Sequence, residues 1–142
     1  PTCQERGISI VAYSPIARGM LSGALTEPPK DWRATIPYMT AENIDAKRLL
    51  VAKIQEIAKA ENVTAAQICL SWVQGKGGIP IPGTTKIEHA TSNHAATTLI
   101  LTSEQMKSLE EATAGVQGLR GDAGYMRSTF SGSIHKEKIE KK

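Results

Sequence analysis

Apolar residues along this chain fall into two kinds of pattern. Ile8 to Tyr13 (ISIVAY) is a short, nearly continuous apolar run, rich in β-branched residues and stopped by Ser14-Pro15. Such a run reads as a strand buried on both faces of a parallel sheet. A second run, Ile79 to Pro82 (IPIP) followed by Gly83, is shorter and interrupted by prolines. Proline cannot donate to a ladder in mid-sheet, so this strand must be very short or keep its prolines at its end.

The other pattern is helical. From Ala46 to Ala60 the apolar positions Leu50, Ile54, Ile57 and Ala58 recur at helical spacing with Lys and Glu between them, which predicts an amphipathic helix. Thr64-Ala65-Ala66-Gln67 has the spacing of a capping box, and the helix it opens carries Ile68 and Trp72 inward and stops near Gly75, Gly77 and Gly78. Glu88 to about Ala96 predicts a short helix of weak apolar content. Thr102 to Gln105 then repeats the capping-box spacing, with Leu101 placed to staple onto Met106, and Met106, Leu109 and Ala112 lie along one face. Ile16 to about Asp45 shows no sustained periodicity, and a loop that long in a compact domain is functional or mobile. The residues from Val116 are rich in Gly, Ser and Arg and end in a charged tail, expected to be partly disordered.

Strand, helix-bearing crossover, strand, then helices is the grammar of a parallel α/β fold. Two strands cannot bury both faces of a parallel sheet, so the pattern implies more sheet than these residues supply. The chain also begins at Pro1, close before a strand, and is expected to be a fragment.

Composition narrows the function classes. The chain has 142 residues, 40% hydrophobic and 22% charged, ordinary values for one soluble unit. Its net charge is +3, but the last eight residues hold four Lys and two Glu and so account for two of those charges. With one Phe, two Trp and three Tyr and no basic helix interleaved with aromatics, nothing marks a nucleic-acid binder. Cys3 and Cys69 lack any pairing or metal-ligand spacing and read as structural cysteines of a reducing compartment. No apolar run approaches bilayer length and no leader precedes the first strand, so the expected location is cytoplasmic, without membrane association. Oligomeric state leaves no signature.

Candidate chemistry follows the two strands directly. Tyr13-Ser14-Pro15-Ile16-Ala17-Arg18-Gly19 comes after the first, and Gly83-Thr84-Thr85-Lys86-Ile87-Glu88-His89, running on to Asn93, after the second. In a (β/α)8 barrel the C-terminal ends of the strands carry the site, and the last two βα loops often bind a phosphate group. Hydroxyls at Ser14, Thr84 and Thr85, glycines that allow close backbone approach, and cations at Arg18 and Lys86 suit a phosphorylated ligand. Gly83-Thr84-Thr85-Lys86 is not a P-loop, since it lacks the first Gly and the trailing Gly-Lys-Ser/Thr. On spacing alone the bland readings stay open: Tyr13 as an aromatic at a strand end, Ser14-Pro15 as a turn, Lys86 as a solvated cation, His89 as a surface histidine.

IVAYSPIARGML and IPIPGTTKIEHATSN, with KIQEIAKAENVTAAQICLSWV between them and LILTSEQMKSLEEA after, together resemble the last two barrel strands and following helices of aldo-keto reductases. The resemblance covers roughly residues 1 to 115, leaving 116–142 as a C-terminal loop and tail. It implies an α/β fold that is the C-terminal fragment of a (β/α)8 TIM barrel, and an NADPH-dependent oxidoreductase acting on a small-molecule carbonyl substrate. It further implies that Tyr13 stacks on the nicotinamide and that Ser14, Ile16 and Arg18 hold the pyrophosphate region, with Pro15 and Gly19 also counted among the cofactor-binding residues. Thr84, Thr85 and Lys86 would hold the adenosine 2′-phosphate and Asn93 would bond the adenine, with Gly83 and His89, the latter at the position facing the adenine end, completing the cofactor-binding set.

Three positions depart from the family pattern. His89 stands where an Arg or Asn is common, Ser92 where Glu or Gln is common, and Ala17 where Gly is usual. None of the motifs bearing the family's proton-donor Tyr, its Lys and Asp partners or its carbonyl-orienting His occurs here. No catalytic residue is therefore assigned, and this chain alone is expected to be inactive. The other readings are a non-catalytic nucleotide-sensing module, as in ion-channel β-subunits of the same fold, and an inactive fragment. Trp32, Arg33 and Tyr38 in the long loop are further pocket candidates.

Overall fold

A computed structural model describes residues 2–113. The expectations for the 116–142 loop and tail lie outside the described residues. Strand β1 (Ile10–Tyr13) and strand β2 (Gly78–Ile81) pair in parallel, with Ile10 opposite Gly78 and Tyr13 opposite Ile81. Both are four residues long, and Pro80 sits inside β2 opposite Ala12. A strand this short tolerates the missing donor.

Helices precede, join and follow the two strands. A single turn, α1 (Thr2–Glu5), precedes β1. The crossover contains α2 (Ala41–Ala46), α3 (Arg48–Ala60) and α4 (Ala65–Gly75), and β2 is followed by α5 (Ile87–Ala95) and α6 (Ser103–Thr113). The capping box at α4 forms as the spacing predicts. The Gln67 N–H donates to Thr64 Oγ1 at 3.2 Å, and the Thr64 N–H donates to Gln67 Oε1 at 2.8 Å. The second box forms before α6, with the Thr102 N–H donating to Gln105 Oε1 at 2.8 Å and the Gln105 N–H to Thr102 Oγ1 at 3.2 Å. Each reciprocal pair satisfies two amides that a helix start leaves open.

The main core lies between α3, α4 and α6. Leu50, Ile54, Ile57 and Ala58 meet Ile68 and Cys69, with Leu101 and Leu109 closing the far side. Leu101 and Met106 join that core together, as a hydrophobic staple requires.

Two expectations are corrected. The stretch from Ile16 to Asp45 is not structureless. It holds 3₁₀ segments at Ala17–Ser22, Trp32–Thr35 and Pro37–Met39 as well as α2, and it builds a second small core from Met20, Ile36, Met39 and Ile44. The strands, in turn, are not buried on both faces. Val11 is 57% and Ile79 53% exposed, and Ile8, Ile10, Tyr13 and Ile81 are exposed as well. Among the described residues the sheet has two strands; α4 packs against β2, while the face that carries Val11, Tyr13, Ile79 and Ile81 stays exposed. No helix among the described residues is long and apolar enough to cross a membrane.

If α3, α4 and α6 form the unit that holds the fold, Ile68→Ala, which truncates a side chain with no exposed surface, should cost about 2–5 kcal/mol. Leu49→Ala on the outer face of α3, where Leu49 is 82% exposed, should change stability by under about 0.5 kcal/mol. Urea denaturation of the full-length polypeptide measures both, and equal losses would contradict this placement of the core.

Candidate functional site: a cleft at the C-terminal ends of two strands

Parallel register decides where the loops meet. Because Tyr13 and Ile81 are partners at the ends of their strands, Ser14 and Pro82 leave the sheet side by side. The two loops open into a cleft of about 840 Å³, within the range of small-molecule and cofactor sites.

The first loop supplies Ser14, Pro15, Ile16, Arg18 and Gly19 to the cleft wall. It is held from both sides. Ile16 and Leu21 pack against the main core, while Ala17 and Met20 belong to the second one. Its backbone is bent far from the ordinary regions, with left-handed φ of 51° at Ser14, 47° at Ala17, 54° at Arg18 and 93° at Gly19. Each non-glycine there costs about 1–2 kcal/mol, and such strain concentrates at ligand sites. At Ala17 the burial of its methyl against the second core offsets part of that cost.

The second loop and α5 supply Gly83, Thr84, His89 and Asn93, joined by Ser92. Residues 89, 92 and 93 share one face of a helix, so α5 turns a single polar strip toward the cleft. Ser92 Oγ lies 3.5 Å from Thr64 Oγ1, which ties this strip to the start of α4. The Lys86 N–H donates to Thr84 Oγ1 at 3.0 Å, a local turn that sets the entry into α5.

Nine of the twelve sequence-predicted site residues thus share one cleft. Tyr13, Thr85 and Lys86 are exposed and do not line it; Thr85 and Lys86 stand beside the Gly83 and Thr84 that do. Sequence reasoning passed over Thr64, Ala65 and Ala66 at the start of α4, and Asp31 beside the flagged Trp32 and Arg33, all of which line the cleft. The capping box marked the α4 start as a helix end but carried no sign that it faces the same cleft. Tyr38, flagged with Trp32 and Arg33, packs against the second core instead.

Charge in the cleft is arranged around Arg33. Its guanidinium meets Asp31 at 2.8 Å, and the Arg33 side chain and then its backbone N–H hold the Asp31 carboxyl below the usual carboxylate range. Arg18 lies over the Trp32 ring, 5.5 Å from its centroid. Cys69 offers no competing nucleophile, because burial pushes its thiol up to about 12 and leaves it protonated at neutral pH. Among the described residues no cluster of three His, Cys, Asp or Glu side chains is placed to hold a metal.

A sequence model of the aldo/keto reductase family matches residues 1–114. The aldo-keto reductase str7 of Strobilurus tenacellus is 38% identical over 116 residues, covering 78% of this chain and 34% of that protein. Among solved structures, the thermostable aldo-keto reductase Tm1743, determined with the inhibitor epalrestat, is 32% identical with a TM-score of 0.55, covering 78% of this chain and 32% of that one. The glycerol dehydrogenase AKR11B4 from Gluconobacter oxydans shares the fold at 20% identity with a TM-score of 0.71, over 82% of this chain and 38% of that one. The chain spans about a third of the length of these relatives.

The opposing terms at Ala17 make a sharp prediction. Ala17→Gly relieves about 1 kcal/mol of left-handed strain and loses about 0.8 kcal/mol of methyl burial, so it should be nearly neutral. Ala17→Val adds a β-branched side chain in the same backbone region and should destabilise by more than about 1 kcal/mol. Thermal denaturation of the two variants checks both, and a tolerated valine would mean that Ala17 is not left-handed.

Proposed function

Because the chain belongs to the aldo/keto reductase family, we propose that these residues form the nucleotide-holding end of a (β/α)8 barrel in an NADPH-dependent reductase of aldehydes or ketones. The observation that carries this reading is the register-matched pair of loops enclosing one cleft at the strand ends. The donor set suits a dinucleotide. Ser14, the turn through Ile16, and Arg18 offer a hydroxyl, close backbone and a cation to the pyrophosphate common to both nicotinamide nucleotides. His89 and Asn93 on the polar strip of α5 face the adenine end. Thr85 and Lys86 stand at the rim beside Thr84, where a 2′-phosphate meets a cation while its outer oxygens remain solvated. Tyr13, exposed at the end of β1, offers its ring face to the nicotinamide.

The bound nucleotide supplies the hydride for carbonyl reduction. The residues of this chain orient it and hold its charge. In this reading the general acid that protonates the carbonyl oxygen belongs to earlier strands of the barrel, and their side of the sheet is where the exposed faces of β1 and β2 find cover.

Calorimetric titration of NADPH and NADH into the full-length polypeptide tests the reading. Lys86→Ala should weaken NADPH about tenfold, the low end for a charge-assisted hydrogen bond because Lys86 is exposed, and leave NADH nearly unchanged. Ser14→Ala should weaken both together, since the pyrophosphate is shared. Equal losses for both nucleotides in Lys86→Ala would put the 2′-phosphate elsewhere.

A further inference from the structure

Arg18 is the cation the first loop turns to the cleft, yet its own backbone is left-handed, at φ 54°, and followed by Gly19 at φ 93°. Something outside the loop must favour that turn. The Arg33 Nη1–H donates to the Arg18 carbonyl at 3.1 Å, across fifteen residues of chain. The opposite edge of the same guanidinium is filled by Asp31, with Nε donating to Oδ1 at 3.0 Å and to Oδ2 at 3.1 Å, and Nη2 to Oδ2 at 2.8 Å. Asp31 Oδ1 also accepts the Arg33 N–H at 2.9 Å. The guanidinium is thereby locked in one plane, with Nη1 aimed at the turn. A Cβ on Gly19 would come within 3.3 Å of that nitrogen, so the glycine provides both the backbone conformation and the room for the approach.

The Asp31–Arg33 ion pair adds little stability of its own. The Arg33 and Asp31 side chains keep 26% and 49% of their surface in solvent, and water screens pairs of that exposure. Its effect lies in direction. Arg33 and its neighbour Trp32 hold Arg18 at two points, Arg33 at the carbonyl and the Trp32 ring at the guanidinium.

We infer that Arg33, anchored by Asp31, is a positioning residue for the nucleotide grip: it pins the Arg18–Gly19 turn so that the Arg18 cation is delivered to the cleft. This rests on the reading of the cleft as a nicotinamide-nucleotide site. Because Arg33 acts through the turn and the pyrophosphate is common to both nucleotides, its loss weakens NADPH and NADH alike. Lysine does not replace it, since one ammonium cannot hold a planar fork on Asp31 and a second bond on the Arg18 carbonyl.

The test is calorimetric binding of NADPH and NADH to the full-length polypeptide and to Arg33→Ala, Arg33→Lys, Arg18→Ala and the Arg18→Ala/Arg33→Ala double variant. Each single variant is expected to bind both nucleotides about tenfold more weakly. The double variant is expected to bind no more weakly than Arg18→Ala alone, because the two residues act as one unit. Wild-type affinity in Arg33→Lys would overturn the inference by showing that charge alone suffices, and so would losses that multiply in the double variant, by showing independent roles. Failure of the wild type, folded and melting cooperatively, to bind either nucleotide would instead overturn the nucleotide reading on which the inference stands.

Discussion

Parallel pairing of β1 with β2 in a single register is the constraint on which the site depends. Tyr13 and Ile81 end their strands together, so two loops far apart in sequence leave the sheet as neighbours. A slip of two residues would keep every side chain on its face and still move the loops apart by roughly 6.6 Å along the strand axis, enough to take Gly83 and Thr84 out of reach of Ser14. Two four-residue strands cannot fix that register by themselves. α4, which packs against β2 and is joined to it by Lys76 and Gly77 alone, does so.

Strain and packing are balanced in the first loop. Three non-glycine residues in left-handed backbone represent about 3–6 kcal/mol of local cost, which a loop in solvent would relax away. Here Ile16 and Leu21 are held in one core and Ala17 and Met20 in the other, so unbending the turn would pull apolar side chains out of both. The second core is small, yet its physical role is clear. It converts a long irregular segment into a wall for the cleft, and it carries the stretch that includes Asp31 and Arg33.

Much of this was legible in the sequence, for local reasons. Capping boxes and amphipathic faces are written within four to eleven neighbouring residues, so α3, α4 and α6 could be read directly, and both strands lay within a residue or two of their predicted spans. The second core could not be read, because Met20, Ile36, Met39 and Ile44 follow no helical or strand period. The burial of β1 was misread because its apolar run reports what a complete sheet would cover, and two strands do not cover it. At the site, the two loops were legible as chemistry, and the family resemblance assigned their roles. The bond from Arg33 to the Arg18 carbonyl left no trace, since it joins a side chain to a backbone atom fifteen positions away, and no spacing rule encodes such a contact.

If the loops after β1 and β2 form one nucleotide site, hydrogen exchange registers it most directly. Amide exchange of the full-length polypeptide would be followed with and without saturating NADPH. Slower exchange is predicted in residues 14–19 and 83–93 together, with α6 unchanged, because binding should suppress local opening only where the ligand bridges the chain. Protection confined to other segments, with both loops exchanging as freely as before, would contradict it.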